Sequence, residues 1–239
     1  MKTDKSYNER LFKGSFVRSY FHLARFNWVK STIKRYKLTY SRVIELGCFD
    51  GKLLDFLPIK PKFYQGYDAN WEGGLETAKN YWKDNKNINF DFSTDPNYII
   101  KNSVDYDLGV SVETFEHIPP ELVCPYLKKL SDNINGYILI TVPNEKGLFF
   151  LLKKLIKPPD KLAKTKYSIL DIFNIFIGRT NYVERDNHKG FDYDHLIYDV
   201  RKHFDIVEIS AYPTFPLLPL SFGFGVGILA KSKKNQIFE

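Results

Sequence analysis

The sequence predicts a single α/β domain of 239 residues built on an open, doubly wound sheet, and three observations support that prediction. Short apolar runs alternate with amphipathic helical stretches from about residue 42 to residue 142. The first apolar run ends in a turn that contains glycine, and two further apolar runs, 204–211 and 223–231, close the chain. Such alternation is typical of parallel βαβ units, whose sheets bind ligands at the carboxyl ends of the strands.

The N-terminal segment 1–40 is predicted to form a helical cover for the rest of the domain. Over residues 8–40, apolar side chains recur at steps of three and four between arginines and lysines, a pattern that favours two helices. Arg25 belongs to this segment, and we interpret it as part of a solvated helix face.

Residues 41–146 are predicted to form the core, with five strands and helices between them. The predicted strands cover 43–46, 63–67, 88–92, 106–112 and 136–142, and the predicted helices cover 52–57, 74–85 and 120–133. Pro125 should bend the last of these helices or delay its start, because proline lacks the amide hydrogen that a helix interior uses.

The segment 147–190 breaks the alternation and is predicted to be an insertion. It begins with an apolar and then basic stretch, and a second apolar helix is predicted over 169–177. The remaining segment, 191–239, is predicted to form a helix over 194–203 and the two last strands.

Composition narrows the classes of protein that the chain can belong to. An apolar content of 44% can fill a core and excludes a disordered or fibrous chain. The net charge of +7 would suit nucleic acid, an anionic membrane or an acidic substrate, but a solvated surface is the commoner reason for it. Two cysteines, an N-terminus without signal-peptide character, and prolines within the longest apolar stretch favour a cytoplasmic protein without disulfides or a membrane span.

The segment Glu45–Gly51, which reads Glu-Leu-Gly-Cys-Phe-Asp-Gly, is the first candidate site and covers the end of the first predicted strand and the turn after it. Gly47 and Gly51 permit a tight turn and a close approach of the backbone to a ligand, although many strand-to-helix turns need glycine for their own geometry. Their spacing does not match the G-x-G-x-x-G pattern of nicotinamide enzymes. Asp68 ends the next strand, where a carboxylate can bind the ribose hydroxyls of an adenosine or simply cap a turn.

Five sequence blocks in order resemble the motifs of the class I S-adenosylmethionine-dependent methyltransferases. The similarity is greatest to the branch that contains the ubiquinone-biosynthesis O-methyltransferases and many small-molecule and glycan methyltransferases. The blocks are Val43–Gly51, Tyr64–Asn70, Ile88–Ser93, Tyr106–Pro119 and Gly136–Asn144, and 204–231 resembles the terminal hairpin of the family. The resemblance implies a Rossmann-like seven-stranded sheet, mostly parallel with an antiparallel last strand. It also implies S-adenosyl-L-methionine as cofactor and S-adenosyl-L-homocysteine as product.

The resemblance assigns the turn after the first strand to the cofactor. Glu45 and Gly47 should lie by its methionine part, and Cys48, Phe49 and Gly51 complete the turn. The family usually has glycine at the position of Phe49. We predict that this ring packs by the cofactor or caps the pocket.

Two further blocks should bind the adenosine part of the cofactor. Asp68 is expected to bind the ribose, and Ala69 to border the adenine. Asp91 and Phe92 should lie near the adenine amino group, with Asp95 as the alternative to Asp91.

The end of the fourth strand should hold the methionine end of the cofactor and a candidate general base. The resemblance implies that Val112 and Glu113 reach the methionine end. His117 follows them and could take a proton from the acceptor, although a Glu-His pair at this point often holds the loop. His188, after the insertion, is the second candidate base, or lies in a solvated loop. No metal site is predicted.

The resemblance implies an enzyme that methylates a small-molecule or glycan acceptor, most simply at a hydroxyl. The insertion is interpreted as an apolar lid on the substrate site, and the alternative is a contact of 148–157 with an anionic membrane. A membrane-associated enzyme with a lipid or quinone-type acceptor is the second hypothesis. A non-catalytic or nucleic-acid-binding module rests on charge alone, and the Asn-Pro-Pro-Tyr type of tetrapeptide is absent, so no nucleic acid is expected. The acceptor, the methylated atom and the oligomeric state stay open.

Overall fold

Helices and strands alternate along the residues that the computed structural model describes, which are 16–100, 105–146, 150, 167–186, 189–213, 220 and 223–234. The helices are α1 (Phe16–Arg35), α2 (Gly74–Trp82), α3 (Pro120–Ser131), α4 (Ile169–Phe176) and α5 (Tyr193–His203). The strands are β1 (Arg42–Leu46), β2 (Phe63–Asp68), β3 (Ile88–Phe92), β4 (Tyr106–Val112), β5 (Ile134–Pro143), β6 (Phe204–Tyr212) and β7 (Gly225–Ser232).

The seven strands form one sheet in the order β3-β2-β1-β4-β5-β7-β6. β1 pairs in parallel with both β2 and β4, whereas β7 runs antiparallel to both β5 and β6. The sheet is therefore mostly parallel with an antiparallel last strand, which confirms the predicted fold class. The strand order reverses between β1 and β4, and open parallel sheets bind ligands beside such a switch point.

Two apolar layers cover the two faces of the sheet. Adjacent residues of β1 belong to opposite layers, Val43 to one and Ile44 to the other, because side chains alternate along a strand. α1 and α2 contribute to the layer of Val43, and α3 and α5 contribute to the layer of Ile44. The carboxyl edge of the sheet lies between these layers.

The described part of the N-terminal cover contains one helix, α1, and the prediction of two helices over 8–40 stays a prediction. Residues 1–15 lie outside the described part of the chain. Trp28 Nε1 donates a hydrogen bond to Ser210 Oγ at 2.9 Å. The indole ring lies over Gly227 of β7, where a Cβ would overlap it. These contacts anchor the cover on the two C-terminal strands.

Two of the predicted helices lie next to or contain prolines. The stretch 52–57 contains only a short 3₁₀ turn, Lys52–Asp55, and Pro58 follows it. α3 begins at Pro120, where a helix needs no amide hydrogen, so Pro125 does not delay its start.

Within the predicted insertion the structure describes residues 150, 167–186 and 189–190, which include α4. α4 begins with a capping box, in which Ser168 and Asp171 each accept a hydrogen bond from the other's backbone amide, at 3.0 and 2.8 Å. A small apolar cluster is formed by Phe150, Ile175 and Val183. Of the stretch 148–157, only Phe150 lies within the described residues. None of the helices described is both long and apolar enough to cross a bilayer.

Candidate functional site

The turn after β1 lies at the carboxyl edge of the sheet and has an uncommon backbone. Gly47, Phe49 and Gly51 all adopt left-handed conformations, with φ angles of 81°, 44° and 72°. The amides of Gly47 and Cys48 donate to the carbonyl oxygen of Tyr67 at 2.7 and 3.1 Å, which fastens the turn to β2. Left-handed residues other than glycine are rare, so Phe49 is the exception in this turn.

Glycine is required at position 47 because a side chain from the segment after β4 lies close to it. A Cβ on this residue would overlap the side chain of Thr114, which follows β4. The Thr114 hydroxyl lies 3.3 Å from the carbonyl oxygen of Leu46 and 3.2 Å from that of Val112. The segments that follow β1 and β4 are therefore in contact at the switch point of the sheet.

Asp68 faces the same turn from the end of β2. Its carboxylate accepts hydrogen bonds from the amide of Phe49 at 2.9 Å and from the amide of Asn70 at 2.6 Å. A carboxylate can accept about four hydrogen bonds, so these two leave capacity for further donors. Asp68 and Ala69 are both partly exposed. This arrangement suits a ligand that offers hydroxyl groups.

The Phe49 side chain packs away from the turn toward α2. Its ring lies against Gly74, the first residue of α2, where a Cβ would overlap the ring. Phe49 is partly exposed, so the ring fills the corner between the turn and the helix without being enclosed. The contact with the Phe49 ring therefore explains why residue 74 is glycine.

Glu45 is buried beneath the turn, where the Tyr64 hydroxyl donates a hydrogen bond to its carboxylate. Burial raises the pKa of Glu45 to about 8; the bond from Tyr64 opposes this rise, and the nearby charges of Asp68 and Asp50 add to it. Burial, together with the charge of Glu45, also raises the pKa of the Cys48 thiol well above its usual value. Glu45 is therefore mostly protonated at neutral pH.

The two acidic side chains at and just after the end of β3 accept hydrogen bonds from within the protein. Asp91 accepts a hydrogen bond from Gln65 Nε2 at 3.1 Å. Asp95 caps the 3₁₀ turn Pro96–Tyr98 and accepts from a backbone amide of that turn at 2.7 Å. Phe92 is exposed at this end of the strand.

A hydrogen bond joins the residue that follows β4 to the last residue of β6. Val112 is buried, and Glu113 has a left-handed backbone with a φ of 52°. The Tyr212 hydroxyl, 99 residues away in the chain, donates to the Glu113 carboxylate and also lies 3.1 Å from the carbonyl oxygen of Val142. Burial, reinforced by the Glu113 carboxylate, raises the pKa of Tyr212 well above its usual value.

Glu116 is a buried carboxyl group, 1% exposed, and neither of its oxygens accepts a hydrogen bond from the described residues. Burial raises its pKa well above the usual value, the charge of Glu113 raises it further, and Arg25 partly opposes the rise. Arg25 is only partly exposed and its Nε is buried, so the helix face that carries it is not simply solvated.

His117 stands beside Glu116 at the same edge. Its Nε2 lies 3.9 Å from Glu116 Oε1, and about a third of its side chain, 34%, is exposed. The ring of Trp71 approaches the imidazole edge-on, with the ring centroids 6.2 Å apart. Trp71 is itself 67% exposed. The imidazole therefore neighbours both a buried carboxyl group and an exposed aromatic ring.

Arg185, from the predicted insertion, holds the segment that carries His117. Its Nη2 donates toward the carbonyl oxygens of Phe115, Glu116 and Ile118 at 3.4, 3.3 and 3.3 Å. Burial lowers the pKa of the guanidinium, and Glu116 opposes that change.

The structure brings most of the predicted site residues to one edge of the sheet. His188 lies outside the described residues, and the cofactor roles of the others stay predictions. The sequence analysis missed Trp71, Tyr212 and Arg185. An aromatic residue just after an acidic motif could have drawn attention to Trp71, but nothing local marks the other two. No group of three potential ligands among the described histidines, cysteines, aspartates and glutamates is placed to hold a metal ion.

No family model matches the sequence, and no curated protein matches it. Solved structures do match its fold. An S-adenosylmethionine-dependent methyltransferase from Clostridium acetobutylicum has a TM-score of 0.64 at 11% identity, covering 93% of this chain and 96% of its own. The methyltransferase domain of a bacterial Hen1 protein has a TM-score of 0.60 at 16% identity, with coverages of 88% and 99%.

Magnesium protoporphyrin IX methyltransferase from Synechocystis, solved with bound S-adenosylhomocysteine, has a TM-score of 0.58 at 16% identity. The alignment covers 93% of this chain and 91% of that one. At such identities the similarity concerns the fold, and it extends over most of the length of each chain compared. Together with the strand order and the switch-point turn, it shows that this chain has the class I fold of S-adenosylmethionine-dependent methyltransferases.

Proposed function

We propose that the protein is an S-adenosylmethionine-dependent methyltransferase that methylates a hydroxyl group of a small-molecule or glycan acceptor. The proposal rests chiefly on the Asp68 carboxylate, which faces the left-handed turn after β1 and retains capacity for hydroxyl donors. The switch point of an open α/β sheet is where such a carboxylate can bind the ribose of an adenosine. The sequence blocks that resemble this family support the same assignment, including its ubiquinone-biosynthesis branch.

The residues present at this edge fit the cofactor. Gly47 carries no side chain where the turn meets Thr114, and the Asp68 carboxylate is partly exposed next to Ala69. We assign the methionine end to the turn and to Val112 and Glu113, and the adenine end to Ala69 and the end of β3. Bound S-adenosylmethionine would supply a methyl group that is already activated on a sulfonium sulfur.

The protein's own contribution is to position the acceptor, exclude water and accept a proton. We assign the proton-accepting role to His117, which is partly exposed at this edge. Burial raises the pKa of the neighbouring Glu116 well above its usual value, so burial favours the neutral form of this carboxyl group. A neutral imidazole can accept a proton. His188 remains the second candidate for this role.

Isothermal titration with S-adenosylmethionine tests the proposal. The wild type should bind, and Asp68→Ala should bind at least about tenfold more weakly because hydrogen bonds to a charged group are lost. Asp68→Asn keeps one acceptor oxygen and should fall between them. His117→Gln should bind the cofactor like the wild type, since its proposed role concerns the acceptor.

Asp84→Ala, an exposed aspartate after α2, is the matched control and should bind normally. Circular dichroism would confirm that each variant is folded. A wild type that does not bind, or equal binding by folded Asp68→Ala, would contradict the proposal.

The second candidate is a membrane-associated methyltransferase with a lipid or quinone-type acceptor. The observation that favours it is the exposure of large apolar side chains on α4, among them Ile169, Leu170 and Phe173. Release of S-adenosylhomocysteine with soluble acceptors and with acceptors embedded in vesicles separates the two. A nucleic-acid-binding module would instead give a salt-sensitive gel shift without any turnover.

A further inference from the structure

The side chain of Tyr212 reaches from β6 to the segment that follows β4. Tyr212 ends β6 and is 1% exposed, and its register partner on β7 is Gly225. A Cβ on Gly225 would lie 2.2 Å from the phenol oxygen, so glycine is required there for the ring to cross β7. The hydroxyl lies 3.1 Å from the carbonyl oxygen of Val142 on β5 and donates to the Glu113 carboxylate. The packing of the last strands therefore brings one buried hydroxyl group to Glu113.

Glu113 has a strained backbone that its surroundings hold in place. Its φ of 52° is left-handed, which is uncommon for a residue other than glycine. Its amide donates to the carbonyl oxygen of Thr141 at 2.9 Å, and its carboxylate is bound by Tyr212. Residues in such conformations persist where the surrounding structure determines them, and they cluster at binding sites. The fold therefore fixes both the backbone and the carboxylate of this residue.

Glu113 and Asp68 lie on opposite sides of the turn after β1. Asp68 ends β2 and Glu113 follows β4, and β1 is the strand between them. The ends of β2 and β4 are two strand spacings apart, which is about 10 Å. Glu113 is partly exposed, and the next residue, Thr114, contacts Gly47 of the turn. A ligand that lies along the turn would therefore meet a carboxylate at each of its ends.

We propose that Tyr212 is a positioning residue, which directs the Glu113 carboxylate to bind the ammonium group in the methionine part of the cofactor. This inference rests on the proposed function, and it assigns a side-chain contact and its control to two named residues. S-adenosylmethionine has hydroxyl groups on its ribose and an ammonium group at its other end, and both donate hydrogen bonds to carboxylates. A carboxylate that is already held in place loses little freedom on binding, so its contact with the ligand is stronger.

Isothermal titration with two ligands tests the role of Tyr212. S-adenosylhomocysteine has the ammonium group, whereas 5′-methylthioadenosine has the adenosine and the sulfur but no amino-acid end. Glu113→Gln should bind S-adenosylhomocysteine at least about tenfold more weakly, because a hydrogen bond between two charged groups is lost. Tyr212→Phe keeps the ring and should bind it about fivefold more weakly, since only the hydroxyl is lost. Both variants should bind 5′-methylthioadenosine like the wild type.

A double variant and a control separate positioning from a merely structural role. If Tyr212 acts through Glu113, the variant that combines Tyr212→Phe with Glu113→Gln should bind S-adenosylhomocysteine as Glu113→Gln alone does. Tyr106→Phe is the matched control, because Tyr106 is another buried tyrosine, 3% exposed, at the amino end of β4 and therefore at the opposite edge of the sheet. It should bind both ligands normally.

The outcomes distinguish this inference from the proposed function. A wild type that does not bind S-adenosylhomocysteine contradicts the proposed function and this inference with it. If the wild type binds it, unchanged binding by Tyr212→Phe, or equal weakening toward both ligands, overturns the positioning role alone. Additive losses in the double variant would overturn it as well, because Tyr212 would then act independently of Glu113.

Discussion

Phe49 has a backbone conformation that glycine would adopt with less strain. Its φ is 44°, and the residues two positions before and after it, Gly47 and Gly51, are also left-handed. A side chain in this conformation costs about 1–2 kcal/mol. The contact of the ring with Gly74 at the start of α2 offsets part of that cost, because it buries aromatic surface that a glycine would lack.

Comparing two substitutions at this position separates backbone strain from packing. Phe49→Ala removes the ring but keeps the strained conformation, whereas Phe49→Gly removes both. Phe49→Gly should therefore be about 1 kcal/mol more stable than Phe49→Ala, the reverse of the order expected at an ordinary position. Chemical denaturation of both variants measures the difference. A less stable glycine variant would mean that the left-handed conformation carries no strain.

Cofactor titration of the same pair addresses the other role predicted for Phe49. If the ring borders the cofactor as well as Gly74, both variants should bind S-adenosylmethionine more weakly than the wild type. Unchanged or tighter binding by Phe49→Gly would restrict the ring to its packing role.

At the scale of elements, the segment 115–118 after β4 depends on a residue from the predicted insertion. Arg185 donates toward three of its carbonyl oxygens, and short turns join His117 N to Thr114 O at 2.9 Å and Ile118 N to Phe115 O at 3.3 Å. The segment makes few other backbone hydrogen bonds of its own, so we infer that Arg185 is a positioning residue for His117.

Arg185→Gln should loosen this segment without affecting the cofactor turn. Loss of a charged donor costs about 1.5–3 kcal/mol, so the amides of His117 and Ile118 should exchange with deuterium at least about tenfold faster. The affinity for S-adenosylmethionine should not change, and Arg185→Lys should restore part of the protection. Arg179→Gln, an exposed arginine from the same region, is the control and should exchange like the wild type. Equal exchange in Arg185→Gln would contradict the positioning role.

At the scale of the whole molecule, two buried carboxyl groups couple folding to pH. Burial raises the pKa of Glu45 to about 8 and that of Glu116 well above its usual value. Between the unfolded and the folded pKa the folded state binds more protons than the unfolded state. The stability that these groups contribute is therefore fully present below about pH 4.5 and is lost as the pH rises through the folded pKa.

Glu45→Gln should remove the part of this pH dependence that comes from the ionisation of Glu45. Glutamine can still accept the hydrogen bond from Tyr64, but it cannot ionise. The free energy of unfolding of the variant relative to the wild type should therefore rise progressively between about pH 4.5 and about pH 8. Urea denaturation across this range measures it, with exposed Glu72→Gln as the control. A constant difference between variant and wild type would show that Glu45 ionises normally in the folded protein.

Most of the fold could be predicted because its signals are local in the chain. Strand β4 over Tyr106–Val112 and strand β3 over Ile88–Phe92 coincide with the predicted ranges, since short apolar runs bounded by turn residues specify buried strands. The stretch 52–57 shows where local signals are insufficient, because a helix was predicted there and the structure has only the 3₁₀ turn Lys52–Asp55. So short a segment forms few helical hydrogen bonds, and its conformation depends on what it packs against.

The sequence by itself determined the alternation of strands and helices, the glycine turn at Gly47 and the acid at Asp68, because each depends on neighbours in the chain. Only the tertiary structure decided which distant groups meet: Tyr212 with Glu113, Arg185 with the segment 115–118, and the burial of Glu116. Contacts across such distances follow from strand order and helix packing, which a local pattern does not encode. Tertiary burial also raised the pKa of Glu116, because removal from water raises the pKa of a carboxyl group whatever its neighbours in sequence.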